Sequence, residues 1–75
     1  MTVNELGKIL HSMYDGADQG DKVAMIHLFG IKYAGEIIET NAVTKDIADA
    51  AGIPLSYGTE ISKGVRLARY VRPTQ

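Results

Sequence analysis

The chain has 75 residues, no cysteine and a formal net charge of -1. This length fits one domain, and the lack of cysteine excludes disulfides and thiolate metal sites. A hydrophobic content of 45% with 23% charged residues is ordinary for a globular domain and excludes a disordered chain. The longest apolar run, 23–31, is too short to span a membrane, and no basic and apolar leader precedes it, so we expect a cytoplasmic protein.

The charges are unevenly distributed along the chain. Residues 1–49 contain four lysines and eight acidic residues, whereas the segment from Lys63 onward contains four basic residues and no acidic one. A basic end on an acidic body can form a surface that binds phosphate groups. It can equally be a solvated tail, and the sequence leaves both interpretations open.

Apolar residues at helical spacing predict an all-α, compact four-helix domain that occupies residues 1–75. The first helix is predicted over 3–14, where Thr2 and Glu5 can form a capping box. The second is predicted over 22–38. It is apolar on nearly every side, which indicates a central position in the core.

The interior of the second predicted helix contains two glycines and a histidine. Gly30 and Gly35 each cost about 1 kcal/mol relative to alanine in a helix. We therefore expect a neighbouring helix to approach closely there, either within the chain or in a dimer. His27 is expected to be a packed, hydrogen-bonded histidine. Because it is not spaced with His11 as a pair of metal ligands, no metal site is predicted.

Two shorter helices are predicted in the second half of the chain. The third covers 45–51, with Thr44 as its cap and Gly52 at its end. The fourth starts near Leu55 or Ser56, after a turn, and continues to about Lys63. The segment that follows, 65–72, fits either a helix or a strand that could pair with a second copy. We expect a short arm, either extended or partly helical, that docks on the body or on a partner.

Residues 44–64 satisfy the spacing of a helix-turn-helix, in which two short helices cross at a steep angle. Ala48 is the small residue where the helices touch, and Gly52, four residues later, can adopt the left-handed turn without strain. The aliphatic positions of the turn and the shared core are occupied by Ile47, Ile53 and Ile61. This segment resembles the helix-turn-helix of phage-repressor-type and controller-type DNA-binding proteins.

The resemblance continues through Arg66. Ser56-Tyr57, Glu60-Ile61 and Lys63-Gly64 are similar to the recognition-helix signature of that group, in which Gly64 would end the helix. Three positions depart from it: Thr59 stands where serine is usual, Gly58 replaces an aliphatic residue or alanine, and Pro54 replaces a capping serine or threonine. We therefore expect a helix-turn-helix-like domain whose first two helices complete the core.

The resemblance implies a transcriptional regulator of phage or prokaryotic type that places the helix 55–63 in the major groove of double-stranded DNA. Hydroxyl groups can bond to several bases, carboxylates to cytosine, lysine to guanine and leucine to the thymine methyl group. The groove-facing residues would be Leu55, Ser56, Thr59, Glu60 and Lys63. The phosphate contacts would come from Thr44, Arg66, Arg69 and Arg72.

Other roles are open for the same residues. Thr44 and Ser56 can serve only as helix caps, Glu60 can be solvated, and the arginines can pair with the acidic half. The competing interpretation is a protein-interaction or dimerisation module that uses the helix-turn-helix as a scaffold without binding DNA, which the acidic first half favours. Both interpretations favour a homodimer, because the chain is small and its second helix is unusually apolar.

Catalysis is not predicted. The chain shows no nucleophile with a base at a recognisable spacing, no phosphate-binding glycine loop and no cluster of metal ligands. We therefore expect no enzymatic activity, no catalytic residue and no cofactor.

Overall fold

The computed structural model describes residues 1–74, and in this range it contains five α-helices and two short 3-10 helices but no strand. The α-helices are α1 (Val3–Asp15), α2 (Lys22–Lys32), α3 (Ala34–Thr40), α4 (Thr44–Ala51) and α5 (Gly58–Leu67). The 3-10 helices, Gln19–Asp21 and Leu55–Tyr57, precede α2 and α5. The all-α prediction is confirmed. The count of four helices is wrong, because the second predicted helix divides in two.

The start of α1 has the predicted capping box. The Thr2 hydroxyl accepts a hydrogen bond from the Glu5 backbone N–H at 3.1 Å, and the Glu5 carboxylate accepts one from the Thr2 N–H at 2.8 Å. These bonds satisfy two backbone donors that a helix start would otherwise leave unpaired. The bond from the Thr2 backbone N–H also lowers the pKa of Glu5, because it stabilises the charged carboxylate.

Tyr33 separates α2 from α3, so the single helix predicted over 22–38 is wrong. Its backbone leaves the helical region, with φ of -111° and ψ of 20°, and its ring packs 5.5 Å from that of Phe29. Gly35 follows the break and has open space where a Cβ atom would stand. The close approach predicted at Gly35 is therefore absent, and this glycine instead weakens the continuation of the helix.

The core is built entirely from apolar side chains contributed by α1 to α5 and the turn after α4. No polar or charged residue among residues 1–74 is buried. Helix α1 packs on α4, where the His11 ring Nδ1 donates to the Ala51 carbonyl at 2.9 Å. The buried set consists of Leu6, Leu10, Ile26, Phe29, Ile37, Ile47, Ala48, Ala51, Ile53 and Ile61.

Helices α2 and α5 cross in backbone contact at Gly30 and Gly64. A Cβ atom on Gly30 would lie 2.6 Å from the Ile61 carbonyl oxygen, and one on Gly64 would lie 2.5 Å from the His27 carbonyl oxygen. The close approach predicted at Gly30 is confirmed and occurs within the chain. Gly64 lies inside α5, so the prediction that it ends the recognition helix is wrong.

The segment 65–72 combines helix and irregular chain. Residues 65–67 complete α5, residues 68–70 form a turn, and residues 71–74 have no regular structure. Of the two predicted forms, the partly helical one is observed within the described residues. No helix in residues 1–74 is long and apolar enough to cross a membrane.

Candidate nucleic-acid interface

The turn between α4 and α5 has the geometry that its sequence spacing predicts. Gly52 adopts a left-handed conformation with φ of 76°, and its N–H and that of Ile53 bond to carbonyls of the last turn of α4. Ile53 plugs the turn with only 7% of its surface exposed, and Ala48 is fully buried at the crossing. Ile47 and Ile61 are also fully buried, so all five positions of the predicted helix-turn-helix are confirmed.

Thr44 connects the two helices of the motif. Val43 is the residue before α4, and Thr44 is the first helical residue and makes no capping bond. The prediction that Thr44 caps this helix is therefore wrong. Its hydroxyl lies 3.1 Å from that of Ser62, which joins the start of α4 to the middle of α5. Sequence reasoning missed Ser62, although it lies three residues after Thr59 and so shares its side of the helix.

The start of α5 lies later than predicted. Leu55–Tyr57 form a 3-10 turn, and the α-helix begins at Gly58. A Cβ atom on Gly58 would lie 3.1 Å from the Lys45 Cα atom, so this departure from the signature lets α5 pack closely on α4. The Thr59 hydroxyl donates to the Ser56 carbonyl at 2.9 Å, which holds Thr59 at the helix start.

Four of the predicted site residues line one shallow depression between α4 and α5. Its wall carries the hydroxyl groups of Thr44 and Ser62 and the exposed Lys45, and Leu55 lies at its edge with 48% of its surface exposed. The predicted residues gathered here are Thr44, Leu55, Ser56 and Thr59.

Three predicted basic residues, Lys63, Arg66 and Arg69, line a second depression further along α5, together with His27 and the 80%-exposed Tyr70. Arg72 lies apart from both groups, in a third depression beside Leu28 and Lys32 of α2. The structure therefore brings the predicted residues together in two adjoining groups along α5 and separates Arg72 from them.

Glu60 faces α2 instead of sharing the outward face of α5. Its Oε1 atom lies 2.7 Å from His27 Nε2, and its Oε2 atom accepts a hydrogen bond from the Lys63 Nζ at 3.3 Å. The hydrogen bond from His27 is the main cause of a lowered Glu60 pKa, and Lys63 lowers it further. The prediction of a hydrogen-bonded His27 is confirmed. Both carboxylate oxygens of Glu60 are already engaged within the protein.

The outward face of α5 consequently combines hydroxyl and cationic groups. Among residues 1–74, ion pairs form only between Glu60 and its partners His27 and Lys63, so the described arginines do not pair with the acidic half. Residues three or four apart share a helix face, and four such residues lie along the outward side of α5. We call Thr59, Ser62, Lys63 and Arg66 the α5 stripe.

These features define a helix-turn-helix protein. A family model described as an HTH-like domain matches residues 2–74, and the chain belongs to that family. No match was found among the curated proteins or the solved structures. The family supports a helix-turn-helix domain, and the closer resemblance to phage repressors stays a prediction.

Proposed function

We propose that the protein binds double-stranded DNA sequence-specifically and acts in the cytoplasm as a transcriptional regulator of prokaryotic type, without enzymatic activity or a cofactor. The observation that carries this proposal is the α5 stripe. It places the exposed Thr59, Lys63 and Arg66, with the half-buried Ser62 between them, on the outward side of the second helix of a helix-turn-helix. The one acidic residue of that helix is turned towards α2.

The size and chemistry of the stripe suit the major groove. That groove is about 12 Å wide and admits one α-helix, whose N-terminal residues approach the base edges. Leu55, Ser56 and Thr59 lie at this end of α5 and offer a thymine-methyl contact and hydroxyl groups. Lys63 lies one turn further along, where it can reach a guanine or a phosphate.

The flanking groups supply affinity without base preference. Thr44 and Lys45 at the start of α4 and Arg66 near the end of α5 lie on either side of the base-contacting positions. Contacts of this kind to phosphates determine register and produce a strong salt dependence. Because Glu60 is already bound to His27 and Lys63, its charge opposes the phosphates less than a free carboxylate would.

We include a homodimer in this proposal. One short recognition helix on a chain of net charge -1 has little electrostatic affinity for DNA. A two-fold dimer presents two such helices to successive major-groove segments, about 34–36 Å apart, and predicts a palindromic site.

A titration against a random-sequence duplex pool at low and moderate salt tests the proposal. The wild-type protein should enrich a palindromic site. Thr59→Ala should relax the preference at one base position, where each mismatch is ordinarily worth about 1–3 kcal/mol. If Lys63 contacts a base, Lys63→Ala should relax the sequence preference at one base position. If it contacts phosphate, the substitution should lower the slope of log affinity against log salt concentration by about 1.

The matched control is Lys8→Ala, which removes the same charge from the exposed side of α1. Equal losses in Lys8→Ala and Lys63→Ala would show that binding follows overall charge and would refute the assigned face. Absence of binding by the wild-type protein at low salt would refute DNA binding and favour the interaction-module interpretation.

A further inference from the structure

The side of α2 that faces away from the core is apolar. Ile26, Phe29 and Gly30 point into the protein and are buried. On the opposite side, Ala24 is exposed, and Leu28 and Ile31 are only half-buried. Helical spacing places these three residues on one stripe, which we call the outer face of α2.

The two ends of this face carry opposite charges. Asp18 and Asp21 are exposed immediately before α2. At the other end Lys32 is exposed in the last turn, and the C-terminal segment brings Arg72 into the same depression as Leu28 and Lys32. No ion pair within residues 1–74 involves any of these four charged residues.

We propose that the outer face of α2 is the homodimer interface and that it packs against α2 of a second copy in antiparallel orientation. A two-fold axis places the same surface on both subunits, so a charge pattern must be complementary to its own reversed copy. An acidic start and a basic end satisfy this condition. Asp18 and Asp21 of one subunit meet Lys32 and Arg72 of the other, and this contact forms twice.

The same charge pattern disfavours other occupants. A nucleic acid or an anionic membrane would gain from Lys32 and Arg72 but would be repelled by Asp18 and Asp21 at the other end. A second copy satisfies both ends and also covers the apolar residues between them. This surface lies on α2 and leaves the α5 stripe accessible.

The inference specifies the homodimer included in the proposed function. It is tested without DNA, so its failure and the failure of DNA binding are distinguishable. Sedimentation velocity over a concentration series should show a reversible monomer–dimer equilibrium for the wild-type chain. Leu28→Glu should shift it towards monomer by roughly tenfold or more in Kd, since it places charge in an apolar contact. Ile38→Glu is the matched control, because Ile38 is 67% exposed on α3, outside the proposed face.

A charge exchange tests the antiparallel arrangement. The double variant Asp18→Lys/Asp21→Lys has two basic ends, and Lys32→Glu/Arg72→Glu has two acidic ends, so each should be monomeric alone. An equimolar mixture should form a heterodimer, because every end then meets its opposite. These substitutions lie at exposed positions, and circular dichroism checks that each variant is folded.

Three results would overturn the proposal. The first is a wild-type chain that stays monomeric at all concentrations. The second is dissociation by Ile38→Glu as strong as that by Leu28→Glu. The third is a mixture of folded charge variants that fails to associate.

Discussion

Replacing Gly64 with alanine is the most direct test of how α5 is held against α2. The added methyl group would lie 2.5 Å from the His27 carbonyl oxygen and 2.9 Å from the Gly30 Cα atom. Both are backbone atoms, which cannot move aside by changing a rotamer. The two helices must therefore separate, which would also disturb the hydrogen bond between His27 and Glu60.

The expected magnitude follows from two opposing effects. Alanine is favoured over glycine inside a helix by about 1 kcal/mol. Overpacking of a filled interior costs about 1–3 kcal/mol, and a backbone clash belongs at the upper end of that range. We therefore expect a net loss of about 2 kcal/mol, which for a domain of this size lowers Tm by about 8–16 °C.

Thermal and urea unfolding followed by circular dichroism measure this loss. The control is Gly35→Ala, the same substitution in α3 at a site with open space around the added atom. It should raise the free energy of unfolding by about 0.5–1 kcal/mol. If Gly64→Ala proved as stabilising as Gly35→Ala, Gly64 would not lie at a tight helix crossing and the reasoning would be wrong.

Two further substitutions probe the turn and the link between α2 and α5. Gly52→Ala should destabilise the fold by about 1–2 kcal/mol, because a φ of 76° is strained for any residue with a Cβ atom. Urea unfolding measures this loss, and an unchanged urea midpoint would contradict the turn geometry. The lowered pKa of Glu60 means that its stabilising contribution is present above the ordinary carboxyl pKa and is lost as pH falls through the lowered value. The urea midpoint, measured from neutral to acidic pH, should consequently fall less steeply in Glu60→Gln than in the wild-type protein. Equal slopes would show that the bond with His27 does not stabilise the fold.

The helix-turn-helix was predictable because its requirements are local. Ala48, Gly52 and Ile53 lie within six consecutive residues, and each answers a demand of the turn itself. A small contact, a left-handed residue and an aliphatic plug can be recognised without knowing the rest of the fold. The capping box of Thr2 and Glu5 was predictable for the same reason.

The errors concern residues whose partners are distant in sequence. In the sequence Gly64 resembles a helix stop, but in the structure it packs against Gly30 of α2. Glu60 resembles a groove-facing acid, but its carboxylate is bound to His27, which lies 33 residues earlier. Gly58 departs from the recognition-helix signature, yet its missing side chain accommodates the backbone of Lys45. Tertiary packing gave each of these residues its role, and local propensity does not record such packing.

The absence of buried polar groups from the core of residues 1–74 separates two sets of residues. The side chains that hold the domain together are aliphatic or aromatic, and none belongs to the α5 stripe. Exposed substitutions away from caps and networks ordinarily change stability by no more than about 0.5 kcal/mol. Positions 55 and 66 can therefore be randomised together on an unchanged interior, which makes this small domain a natural scaffold for libraries of altered surface chemistry.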